Sequence, residues 1–117
     1  MKVNELTGAA LDWAVAKCEG KDWNLVESFL DYYDEGGMHY STDWSQGGPI
    51  IEREGINLTS CLDEEEPYWI GSVECQYKNF NATAYYEEYG PTPLIAAMRC
   101  FVASKLGDEV EIPEELK

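Results

Sequence analysis

The stretch Thr92–Gly107, "TPLIAAMRCFVASKLG", decides the fold. A threonine stands at its start as an N-cap. A proline follows at the first helical position, where its missing N–H would be unpaired anyway. A glycine closes it, where a helix needs a stop. Between them Leu94, Ile95, Met98, Phe101, Val102 and Leu106 recur at helical spacing and mark one buried face. Met98 lies within that stripe and reads as core rather than as a ligand. So apolar a helix needs a broad surface to lie on, and the residues before it supply one.

Working backwards, "YWIGSVECQY" (Tyr68–Tyr77) alternates. Trp69, Val73, Cys75 and Tyr77 fall on one side, and Ser72, Glu74 and Gln76 on the other. "INLTSCL" (Ile56–Leu62) alternates too, with Ile56, Leu58 and Leu62 together. The polar "DEEEP" joins these strands, "KNFN" (78–81) reads as a turn, and "ATAYY" (Ala82–Tyr86) as a third strand. Three such strands make an antiparallel sheet with one wet face.

At the other end, Thr7 caps a helix whose stripe is Leu11, Ala14, Val15 and Cys18. Leu6 and Leu11 fit a hydrophobic staple, Lys17 suits the last turn, and Gly20 ends it. Residues 22–36, "DWNLVESFLDYYDEG", carry a helical stripe in Leu25, Val26, Phe29, Leu30 and Tyr33, with Asp22 as cap and Gly36 as stop. Their Val, Phe and Tyr also suit a strand; helix is preferred. In "DWSQGGPIIEREG" (Asp43–Gly55), Gly47 and Gly48 read as a tight turn, and Pro49 as the start of a short helix ended by Gly55. The expected architecture is α+β: a three-stranded antiparallel sheet packed by N-terminal and C-terminal helices, with a short helix after the Gly-Gly-Pro turn. A single domain covers 1–117, and residues 108–117 form an acidic extended tail with Val110 and Ile112 tucked onto the body.

Charge restricts function more than fold. With 23 Asp+Glu against 8 Lys+Arg, the formal charge is −15. Phosphate contacts need clustered Lys and Arg, so direct nucleic-acid binding is not expected. The order helix, three strands, helix also occurs in double-stranded RNA-binding modules, but their lysine-rich contacts have no counterpart here. Anionic membranes are equally unsuitable partners. No window approaches the ~20 apolar residues of a bilayer span. "MKVNELTGAALDWAVAKCEG" lacks the apolar core of a secretory signal, which predicts a cytoplasmic protein. Cys18, Cys61, Cys75 and Cys100 form no C-x-x-C pair and read as buried reduced thiols, not a metal site.

No P-loop, dinucleotide fingerprint, nucleophile elbow or zinc-protease motif is present. His39 is the one histidine and reads as a surface residue. No catalytic residue, metal or cofactor is assigned. The candidate ligand or partner surface is Tyr40, Ser41, Asp43, Trp44, Gln46, Gly47, Gly48 and Arg53. Free N–H groups at a helix start bind anions, but Glu52, Glu54 and the overall charge oppose that. Trp44 has two readings, a stacking platform for a ligand or an anchor in the core.

"TGAALDWAVAKCEG", "YSTDWSQGGPIIEREGI" and "GPTPLIAAMRCFVASKLGDEV" together resemble the NinX-like family of small phage and prophage proteins, a domain of unknown function. The resemblance covers about three quarters of the chain and leaves out residues 21–38 and the "DEEE" loop. It implies a phage origin and action in the bacterial cytoplasm, with no catalytic residues to carry over. The expected role is a non-catalytic acidic interaction protein that docks on a basic host protein or imitates DNA. The alternatives are a small-molecule or peptide site around Tyr40–Ile51, as a binding module or an enzyme, and an assembly module pairing through the C-terminal helix.

Overall fold

A computed structural model describes residues 1–21, 26–34, 36–62, 65–77 and 82–117. Its axis is the C-terminal helix. That helix, α4 (Pro93–Leu106), begins and ends as its signals dictate. Thr92 Oγ1 accepts a hydrogen bond from the Ile95 N–H at 3.1 Å, and Gly107, at φ +91°, closes the last turn onto the Ala103 carbonyl. Burial reaches beyond the single expected stripe. Ala96, Ala97, Arg99, Cys100 and Ala103 join Leu94, Met98, Phe101 and Val102 inside, because the helix has the sheet on one side and other helices on another. Leu106 is a correction. It is 46% exposed, standing in the last turn beside a shallow hollow it shares with Lys17 and Glu109.

Strands β1 (Asn57–Cys61), β2 (Tyr68–Tyr77) and β3 (Ala82–Gly90) form an antiparallel sheet in that order. Leu62, expected on the buried face, lies past the end of β1 and is 88% exposed. β3 runs four residues beyond the expected Tyr86. Glu87 and Glu88 have poor strand propensity, but pairing with Ser72 and Gly71 of β2 overrides it. The face of Val73 and Cys75 meets α4. There a Cβ on Gly71 would stand 2.7 Å from the Ala96 carbonyl oxygen, and one on Gly90 2.6 Å from the Ala96 nitrogen. Only glycine lets the helix backbone come so close. The "KNFN" turn at 78–81 lies outside the described residues.

Helix α1 (Gly8–Cys18) packs on α4. Leu6, Leu11 and Val15 are fully buried, and so is Asp12. Thr7 occupies the N-cap position without a side-chain hydrogen bond to the helix. Helix α2 (Val26–Asp34) confirms a helix over that span, and Gly36 follows at φ +87°; the expected cap, Asp22, lies outside the described residues. The tail is tied down. Val3 N–H donates to the Asp108 carbonyl, Val110 N–H to the Met1 carbonyl, and the Met1 amine to the Val110 carbonyl at 2.8 Å. Val110, Ile112 and Leu116 are buried.

Candidate functional site

Helix α3 spans Trp44–Glu54, five residues more than the helix expected from Pro49. Asp43 is its N-cap. Asp43 Oδ1 accepts from the Ser45 N–H at 2.9 Å and from Ser45 Oγ at 2.7 Å, bonds that hold its carboxyl below the usual range. This cap starts the helix upstream of the glycines, so Gly47 and Gly48 are helical rather than a turn. Pro49 then sits inside α3 on its exposed side, where it leaves the Ser45 carbonyl without its helical donor. Gly47 answers a packing demand. It is buried against the Tyr40 carbonyl, and a Cβ there would lie 2.6 Å from Leu94 Cδ1. Gly48 is less confined, with only the Trp44 ring near the place of its missing Cβ.

Gln46 knits the preceding loop together. Its Oε1 accepts from the His39 N–H at 2.7 Å, and its Nε2 donates to the Gly37 carbonyl at 3.0 Å and to Asp43 Oδ2 at 3.3 Å. Behind the loop lies Asp12, which sequence reasoning missed. Its Oδ1 accepts from the Ser41 N–H at 2.8 Å and its Oδ2 from Tyr33 OH at 2.9 Å. Burial pushes the Asp12 carboxyl above its ordinary value of 3.8, against the pull of those bonds. The one available signal was an Asp set between Leu11 and Trp13 in an apolar helix. His39 is half-buried rather than a surface residue. It packs on Tyr33 with ring centroids 4.1 Å apart, and its Nε2 lies 3.0 Å from the Tyr33 carbonyl.

The expected site residues therefore divide. Ser41 and Gly47 are buried, Tyr40 is half-buried, and Asp43 and Gln46 hold backbone. Trp44 stays outside, 53% exposed, which rules out its reading as a core anchor. It borders a hollow of about 210 Å³ with Thr42, Thr92, Pro93 and Ile95. Arg53, at the other end of α3, is drawn into a bidentate ion pair with Glu19. Its guanidinium carbon lies 5.8 Å from the centre of the Phe101 ring.

A second surface was not anticipated: the outer face of the sheet. Strand alternation and the β2–β3 register put Tyr68, Ile70, Tyr85, Glu87 and Tyr89 there. Tyr85 and Tyr89 are 58% and 50% exposed. Glu87 Oε2 accepts from Tyr85 OH at 2.7 Å and Oε1 from Tyr89 OH at 2.8 Å. Those bonds lower the Glu87 carboxyl and raise both phenols. Tyr68 meets Tyr89 edge-on at 5.7 Å. Beside them opens a cavity of about 960 Å³ with Glu65, Glu66 and Asn4 on its lining. Arg99 also lines it, buried, with Nε on the Leu6 carbonyl at 2.9 Å and Nη1 on the Tyr89 carbonyl at 2.8 Å. The available sequence signal is the alternation Tyr85, Glu87, Tyr89 in a strand that continues past Tyr86.

The four thiols are free, and only Cys100 is fully buried, a correction to four buried thiols. Burial pushes Cys100 up to about 12 and Cys18 to about 11. Cys61 is half-buried at the end of β1, opposite Tyr68. No helix among the described residues is long and apolar enough to cross a membrane.

The family model described as "Bacteriophage P22, NinX" matches residues 2–105. The chain belongs to the NinX family. The match takes in α1, the Asp43-capped α3, the sheet and nearly all of α4, so both surfaces lie within the NinX region. The chain is also similar to two curated proteins named "Sulfurtransferase TusE", from Yersinia pseudotuberculosis serotype I (strain IP32953) and from Yersinia pestis. Each is 33% identical over 82 residues, which is 68% of this chain and 64% and 63% of theirs. The chain thus spans less than two thirds of the length of these relatives.

Proposed function

We propose that this NinX-family protein is a non-catalytic, phage-encoded accessory protein that works in the bacterial cytoplasm by docking on a basic host protein. One observation carries this: how the charge is arranged. Arg53 is paired with Glu19 and Glu54, Lys105 with Glu54, and Lys117 with Glu114, while Arg99 is buried on backbone carbonyls. Four of the eight cations are thus engaged within the molecule. Glu52, Glu65, Glu66, Glu74, Glu87 and the carboxylates of the tail are exposed. With a formal charge of −15, the surface field is negative and steers basic partners. The test is capture from host lysate at low and moderate salt, with bound proteins identified by mass spectrometry. Capture should weaken as salt screens the attraction. No partner at any salt sinks the proposal.

A second reading follows from the name of the Yersinia relatives: sulfur transfer through Cys61. The position of that thiol favours it, since Cys61 lies on the open face of the sheet whereas Cys75 faces α4 and Cys18 and Cys100 are held protonated by burial. The Cys61 thiolate would attack the outer sulfur of a donor persulfide, form a Cys61 persulfide and release the donor thiolate. A gain of one sulfur at Cys61 on mixing with a persulfide donor, read by mass spectrometry and lost in Cys61→Ser, is the expected result. An unmodified Cys61 removes this reading.

A further inference from the structure

We propose that the outer face of the sheet is the docking surface, and that its occupant is an extended, arginine-bearing segment of the partner; this rests on the interaction reading above. An antiparallel sheet with one face packed on a core normally shows polar residues on the other. Here Tyr68, Ile70, Tyr85 and Tyr89 stand as a large aromatic and apolar group among the polar outward positions Asn57, Thr59, Ser72, Glu74, Thr83 and Glu87. Tyrosine and arginine are the residue types that interfaces concentrate. No outward position of the three strands is Lys or Arg, and Glu74 and Glu87 stand among the rings. Aromatic faces and carboxylates without a competing cation attract a guanidinium twice over, by stacking and by charge.

Geometry narrows the partner. Tyr85, Glu87 and Tyr89 are alternate residues of one strand, so they recur at roughly 7 Å. Alternate residues of any extended segment have the same period, and arginines at every second position would meet ring, carboxylate and ring in turn. The two phenols are already anchored on Glu87. Each carboxylate oxygen retains a lone pair for an incoming N–H. Little side-chain freedom then remains to be lost on binding. At the Tyr68–Tyr89 end the row runs into the cavity, where Glu65 and Glu66 continue the acidic row and the buried Arg99 is turned onto the Leu6 and Tyr89 carbonyls.

The probe is a synthetic peptide of alternating arginine and threonine, titrated into the isotope-labelled full chain and followed by amide chemical shifts. The expected shifts fall on Ile70, Tyr85, Glu87 and Tyr89. Substituting Tyr85→Ser and Tyr89→Ser together should weaken binding roughly tenfold, and an alternating lysine peptide should bind more weakly than the arginine one. Tyr85→Phe with Tyr89→Phe keeps the rings and should retain most of the affinity. If the double serine variant fails to fold, Glu87→Gln, which removes the charge and keeps both rings, should weaken binding several-fold. Shifts confined to the acidic tail at 108–115, or equal affinity of wild type and the tyrosine variant, overturn the proposal. A host protein captured equally by wild type and the serine variant overturns this surface and leaves the interaction reading standing.

Discussion

The two faces of the sheet obey opposite rules. On the inner face Gly71 and Gly90 omit their side chains so that the backbone of α4 can approach to contact distance. On the outer face Tyr68, Tyr85 and Tyr89, large side chains that tolerate both water and an apolar surface, stand exposed. A close-packed interior penalises any added atom, whereas an open face accepts almost any side chain without loss of stability. Residues on the first face therefore hold the fold, and residues on the second are free to serve a partner.

The sharpest way to break this comparison is to add one methyl group to the inner face. Gly71→Ala should cost about 3 kcal/mol, because its Cβ meets backbone that cannot swing aside. Chemical denaturation reads this directly, and a loss under about 1 kcal/mol would mean that the helix can shift off the sheet.

Asp12→Ala comes next, at about 2–3 kcal/mol, because the Ser41 N–H and the Tyr33 hydroxyl lose their acceptor in the interior. Asp12 also sets a pH dependence. Its folded pKa lies above the unfolded 3.8, so the native state binds the extra proton. The stability Asp12 contributes is full below 3.8 and is lost as pH rises through the folded value. Asp12→Asn should remove that component of the slope, seen as the difference between the two stability–pH curves. Parallel curves would place the titration elsewhere.

Gly47→Ala should cost about 1–3 kcal/mol. Its Cβ meets the flexible end of Leu94 as well as the Tyr40 carbonyl, so part of the strain can relax. The smallest effect belongs to the outer face. Tyr85→Ser should change stability by less than about 1 kcal/mol, a shift in melting temperature of a few degrees at most. A larger loss would give the tyrosine row a structural role and remove the contrast between the faces.

Much of this was legible along the chain. The ends of α4 were set by Thr92, Pro93 and Gly107, because caps act locally. The extent of β2 and the inward side of Val73 and Cys75 followed from strict alternation. The failures have different causes. The length of β3 is settled by pairing with β2, which no local propensity reveals. The start of α3 is set locally by the Asp43 cap, a signal outweighed in the sequence by the Gly-Gly-Pro run, and Leu106 is exposed because it stands in the last turn of α4. The candidate site was legible only as a region. Exposure of Trp44 and burial of Ser41, one residue type suited to either fate and the other short enough for either, depend on what packs around them.

By itself, then, the sequence determined the α+β class, the helix signals, the alternation of β2 and a charge of −15, because these rest on composition and on contacts within a few residues. Only the tertiary structure decided that Asp12 is a buried acceptor and that Tyr68, Tyr85 and Tyr89 gather on one open face. Those outcomes depend on which atoms from remote parts of the chain arrive beside them. Only folding fixes that.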